Sequence, residues 1–156
     1  VLFSPAVLSS GGGPSWLNWI FNIPQINHIG PLLVSSIATS GLDLLYRSYD
    51  DPDSVTEQTL AGYTQPLKVI GWERAFWEFN KAPRNTGAGE RLAEIRIPTL
   101  VITGNNDLVV ATADSVTVAG IIPGAELVVI PQTGHLPNEE SPAEFAKAVV
   151  DFIKRN

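Results

Sequence analysis

The 156-residue sequence contains no cysteine, which excludes disulfides, thiol nucleophiles and zinc–thiolate sites. It also contains no methionine. Basic residues are few: 10 Lys and Arg against 16 Asp and Glu leave a formal charge of −6. That balance argues against a nucleic-acid partner, because binding phosphates requires a basic face. No block of like charges is present. The most apolar long stretch, residues 29–45, is interrupted by Pro31, Asp43 and several Ser and Gly residues. It falls short of about 18 uninterrupted apolar residues, so no transmembrane segment is expected. No signal peptide is visible, since the chain opens on what reads as a core strand. The compartment stays open, with a soluble, cytoplasmic protein as the working expectation.

What remains is an ordinary globular composition, 44 % hydrophobic and 17 % charged. A single domain of this length buries about 70 % of its unfolded surface. Three regions are expected: a core strand over 1–7, an aromatic, Pro- and Gly-rich helical region over 8–88, and regular strand–helix alternation over 89–156. Within the middle region, residues 16–21 and 31–49 are expected to be helical, with Pro31 in a first turn. "DPDSVTEQ" reads as a helix start capped by Asp53 or Ser54, with Ser54 and Glu57 at capping-box spacing. "GWERAFWEFNKA" places Trp72, Ala75, Phe76, Phe79 and Ala82 on one helical face.

The last third is clearer. "IPTLVITG" and "AELVVIP" are short β-branched runs, as expected of buried parallel strands. A helix over 111–122 separates them, and Pro123-Gly124 stops it. Ser141, Pro142 and Glu144 are expected to cap and open a final helix, with Phe145, Val149, Phe152 and Ile153 facing inward. Strand, helix, strand, helix implies a parallel sheet with right-handed crossovers.

Two loops follow these strands. At the carboxyl ends of parallel strands, ligands and catalytic groups gather. The first loop, "TGNNDLVV", offers Asp107; the second, "PQTGHLPNEE", offers His135, 28 residues later. A carboxylate beside an imidazole accepts its Nδ1–H, fixes the tautomer and stabilises the imidazolium. His135 would then serve as a general base near neutrality. Each residue alone is commonly incidental, but their placement at successive strand ends singles out the pair. His28 stands alone in what reads as a Pro- and Asn-rich loop and is set aside. Glu139 and Glu140 are expected to favour the positive N-terminus of the final helix.

"IPTLVITGNNDLVV" followed by "IPGAELVVIPQTGHLPNEESPAEFAKAVVDFI" resembles the C-terminal part of the α/β-hydrolase family, in the order and spacing of "PTLVITGxxD" and "GHxPxxExP". The middle resembles the helical cap of esterase-like members, and "VLFSPAV" resembles the strand that leads from the core into that cap. The resemblance implies an α/β fold: three parallel strands with flanking helices and an inserted helical cap (8–88). It also implies Asp107 as triad acid and His135 as triad base, in the family order Ser…Asp…His.

The nucleophile of that order should sit in a G-x-S-x-G elbow, and no serine here does. Ser4 precedes Pro5, and Ser15 has Gly13 two before it but Leu17 two after. "GGGPS" lacks the preceding His of an oxyanion-hole loop and reads as a flexible lead into the cap. The N-terminal strands and the nucleophile elbow are therefore expected on another segment or chain, a missing N-terminal half that is this chain's partner. The 156 residues alone are expected to be inactive.

The implied activity is serine hydrolysis of small apolar carboxylic esters, carboxylesterase- or lipase-like, through an acyl-enzyme and without metal or cofactor. An Asp nucleophile would instead suggest a haloalkane dehalogenase or epoxide hydrolase. A different pocket would suit C–C bond hydrolysis, and a non-catalytic binding protein is the rival of another class. Trp16, Trp19, Trp72 and Phe76 from the cap, and Val109 and Leu136 beside the pair, are the candidate substrate contacts. For most of the aromatics a role in the cap's own small core is the favoured expectation.

Overall fold

A computed structural model of the chain describes residues 1–8, 23–37, 40–81 and 87–156. These form two compact units: Val1–Ser9, Leu45–Ser54 and Thr86–Asn156 make one, and Ser10–Leu44 with Val55–Asn85 the other. Trp16, Trp19 and the expected helix over 16–21 lie outside the described residues.

The first unit is built on a parallel three-stranded sheet in the order β1 (Leu2–Phe3), β2 (Leu100–Gly104), β3 (Glu126–Ile130). β2 begins three residues later than the apolar run suggests: Pro98 has no N–H for a ladder, and Ile97 is exposed. All five residues of β2 are buried, as expected of a central strand covered on both faces. Its alternate side chains feed two cores. Val101 packs with Leu92, Val118 and Ile122, the last two from α5 (Thr112–Ile121) and the residue after it. Leu100 and Ile102 pack with Ile130 and Phe152, the latter from α6 (Pro142–Arg155). β1 is short; Ser4 extends its ladder through one bond to the Ile102 carbonyl at 2.8 Å and then leaves it at φ 39°.

Two expectations for the final helix change. Phe145, Val149 and Phe152 do face the core, but Ile153 is 64 % exposed, one position off the apolar stripe. Ser141 precedes the helix yet makes no side-chain cap; its hydroxyl is 2.7 Å from that of Thr133.

In the second unit, α1 (Pro24–Ile37) and α2 (Ser40–Arg47) replace the single helix expected over 31–49. The second of these runs past Leu44 into the first unit. Pro24 takes the first-turn position and Pro31 lies in the helix interior, so His28 sits on this helix and not in a loop. Residues Pro52–Ser54 form a 3₁₀ turn, with Ser54 Oγ donating to the Asp51 carbonyl at 2.6 Å. The cap of α3 (Glu57–Thr64) is therefore Thr56, whose hydroxyl accepts the Thr59 N–H at 3.1 Å. α4 (Trp72–Lys81) packs against α1. It buries Trp77 and leaves Phe76 and Phe79 exposed, the reverse of the expected face. Gly30 explains the choice: a Cβ there would overlap the Trp77 indole, so the bare backbone of α1 receives the ring. Trp77 Nε1 then donates to Asn27 Oδ1 at 2.8 Å, which satisfies its one polar group. Among the described residues, no helix is long and apolar enough to cross a membrane.

Candidate active site

The loops after β2 and β3 meet because their strands are in register to the last pair, Gly104 beside Ile130. The Asn105 N–H donates to the Ile130 carbonyl (2.9 Å) and the Asn106 N–H to that of Thr133 (3.0 Å). Gly104 permits the approach: a Cβ at that position would overlap the carbonyl oxygens of Thr133 and Gly134.

Asp107 and His135 come together there. Asp107 Oδ2 is 2.8 Å from His135 Nδ1. The other oxygen, Oδ1, accepts the N–H groups of Val109 (2.9 Å) and Val110 (2.8 Å). The Asp107 side chain is fully buried while the imidazole keeps 23 % exposure. An ionised carboxylate only accepts, so Nδ1 carries the hydrogen and donates it. The Nε2 lone pair is then free to take a proton. Burial without these three donors would be costly for a carboxylate; with them, its orientation is set.

The histidine loop is clamped from the main chain outward. The His135 N–H donates to the Ser48 carbonyl at 2.7 Å. Glu140 Oε1 accepts the N–H groups of Gly134 (2.9 Å) and Leu136 (3.3 Å), the residues on either side. Glu140 Oε2 accepts from Asp50 N–H at 2.7 Å. Glu139 accepts the Tyr49 hydroxyl at 2.7 Å. The two glutamates thus bind residues 49–50 and the histidine loop, a role the helix-terminus expectation did not foresee. Gly134 is the point of contact, where a Cβ would stand 2.6 Å from the Ser48 carbonyl oxygen and 2.8 Å from the Asp50 nitrogen.

Of the candidate substrate contacts, Val109 and Leu136 flank the pair; Val109 is 37 % exposed and Leu136 half-buried. Trp72 and Phe76 lie on α4 in the second unit, half-buried and exposed. Ser48, Asp50, Asn106 and Glu140 were missed as site residues. Only Glu140 had a sequence signal, its place in "GHLPNEESP". Among the described residues, no group of three or more His, Cys, Asp or Glu side chains could hold a metal ion.

The model of the alpha/beta hydrolase family matches residues 1–148. A 2-hydroxy-6-oxononadienedioate/2-hydroxy-6-oxononatrienedioate hydrolase of Pseudomonas putida is 36 % identical over 153 residues, covering 97 % of this chain and 50 % of that protein. The uncharacterized hydrolase YugF of Bacillus subtilis is 28 % identical over 104 residues, 67 % of this chain and 38 % of the relative. The chain therefore spans half or less of the length of these relatives. Among solved structures, the meta-cleavage product hydrolase CumD of Pseudomonas fluorescens shares the fold. Its TM-score is 0.63 at 24 % identity, over 72 % of this chain and 44 % of that one.

Proposed function

The chain belongs to the alpha/beta hydrolase family, and on that premise we propose that it supplies the acid and base of an acyl-transfer hydrolase. The observation that carries this reading is the 2.8 Å contact between the buried Asp107 carboxylate and His135 Nδ1. His135 Nε2 takes the proton of a serine hydroxyl as that oxygen attacks a substrate carbonyl carbon. The bond to the leaving group breaks and His135 returns the proton to it. Water then repeats the sequence on the acyl-enzyme. Asp107 holds the tautomer and stabilises the imidazolium. The serine comes from a segment other than these 156 residues, since no serine here stands in a G-x-S-x-G elbow.

Two substrate classes suit this machinery. The sequence reading pointed to apolar carboxylic esters. The Pseudomonas putida relative, similar along almost the whole chain, favours a 2-hydroxy-6-oxo-dienoate, cleaved at the C–C bond beside its ketone. The test takes the enzyme with its nucleophile-bearing segment and measures turnover of a p-nitrophenyl ester and a 2-hydroxy-6-oxo-dienoate. His135→Ala should lower kcat at least about 1,000-fold on whichever substrate the parent turns over. Equal rates for variant and parent refute the assignment.

A further inference from the structure

We propose that Asp50 is a positioning residue that ties the loop of Asp107 to the loop of His135; this rests on reading that pair as acid and base. The Asp50 carboxylate accepts a hydrogen bond from Asn106 Nδ2 at 2.6 Å. Asn106 is the residue immediately before Asp107. From its main chain, Asp50 donates N–H to Glu140 Oε2 at 2.7 Å. That same carboxylate holds the N–H groups on both sides of His135. Two residues earlier, the Ser48 carbonyl receives the N–H of His135 itself. One short segment thus grips both loops at once.

The geometry gives this brace a purpose. Asp107 and His135 hang from different strands, and catalysis depends on their separation to a fraction of an ångström. Apart from the Asp107–His135 contact itself, direct ties between the loops run through Asn105, Asn106 and Thr133. Asp50 adds a cross-member, from the residue next to the acid to the acceptor that holds the base. Its bond to Asn106 is charge-assisted and short, the kind that fixes an orientation. Asn106 is itself exposed, so without Asp50 its side chain would turn to water.

The experiment uses the enzyme with its nucleophile-bearing segment and compares Asp50→Ala, Asp50→Asn, Asn106→Ala and the double alanine variant. Kinetics are measured well below each melting temperature. The downfield proton resonance of His135 Nδ1–H, assigned by its loss in His135→Ala, is recorded alongside. Asp50→Ala should lower kcat about 10-fold with KM nearly unchanged, and should shift or broaden the resonance. Asp50→Asn should recover most of the loss, because its Oδ1 still accepts from Asn106. The double variant should be no worse than Asp50→Ala, because both remove one interaction. If Asp50→Ala does not fold, Asn106→Ala removes the same bond from the solvent side and carries the same expectation. The proposal is overturned by an alanine variant with parental kcat and resonance, or by Asp50→Asn falling as far as Asp50→Ala. Undiminished turnover in His135→Ala would instead defeat the acid–base reading itself.

Discussion

Replacing Gly134 by alanine tests how tightly the histidine loop is seated. The new Cβ would lie 2.6 Å from the Ser48 oxygen, 2.8 Å from the Asp50 nitrogen and 3.0 Å from the Tyr49 carbonyl carbon, where ordinary contact begins at 3.4 Å. All three neighbours are backbone, so no rotamer change relieves the overlap. The loop must retreat by about 0.8 Å, which stretches the 2.7 Å bond from His135 N–H to Ser48 towards about 3.5 Å, beyond useful range. The bond from Asp50 N–H to Glu140 is strained in the same way. Loss of the first costs about 1 kcal/mol and weakening of the charged one about as much again. Overpacking adds about 1 kcal/mol or more. Gly134→Ala should therefore destabilise the protein by about 3 kcal/mol in urea denaturation followed by circular dichroism. A displaced imidazole should also cut kcat about 100-fold. Gly120→Ala is the control: it lies within α5 with nothing within 4 Å of an added Cβ. It should be neutral or stabilising by about 0.5–1 kcal/mol. A Gly134→Ala variant as stable and as active as the parent would refute the clamp.

Two further outcomes concern packing and surface charge. Phe152→Ala, which empties a core position only 7 % exposed, should cost about 3–5 kcal/mol, whereas Ile153→Ala one residue on should stay within about 0.5 kcal/mol; equal losses in thermal denaturation would contradict the helix orientation. Glu78 lies on α4, and its carboxyl is held below its ordinary range by a hydrogen bond from Lys81 and by the charges of Lys81 and Arg74. A lowered carboxylate pKa stabilises above the unfolded value, so the small difference in melting temperature between parent and Glu78→Gln should be present at neutral pH. It should vanish as pH falls through the folded value; a difference that grows in acid would contradict the pairing.

The strands and the Asp107–His135 pairing were legible because their signals are local. A parallel strand covered on both faces must be an unbroken apolar run, so 100–104 announces itself; 126–130 reads the same way, yet Leu127 and Val129 are exposed on one face, so the expected fully buried second strand is buried only in part. Asp107 and His135 follow from the loops behind the two strands. The orientation of α4 was not legible. Its sequence carries apolar residues on more than one face, and Gly30, 47 residues before Trp77, decides which one is buried. Ser141 likewise has the residue type of a cap, yet the nearby Thr133 hydroxyl offers a partner that only the fold brings into reach.

By itself, then, the sequence determined the alternation of strands and helices in residues 89–156, the candidate carboxylate and imidazole at successive strand ends, and the lack of a nucleophile elbow. Periodicity and side-chain chemistry are properties of neighbouring residues, so they survive reading in one dimension. The tertiary structure alone decided that residues 48–50 close around the histidine loop. They do so mainly through a carbonyl and an N–H that every residue but proline possesses, so no choice of side chain could announce them. Their role exists only because glycine at 134 lets two main chains, distant in sequence, come within hydrogen-bonding distance.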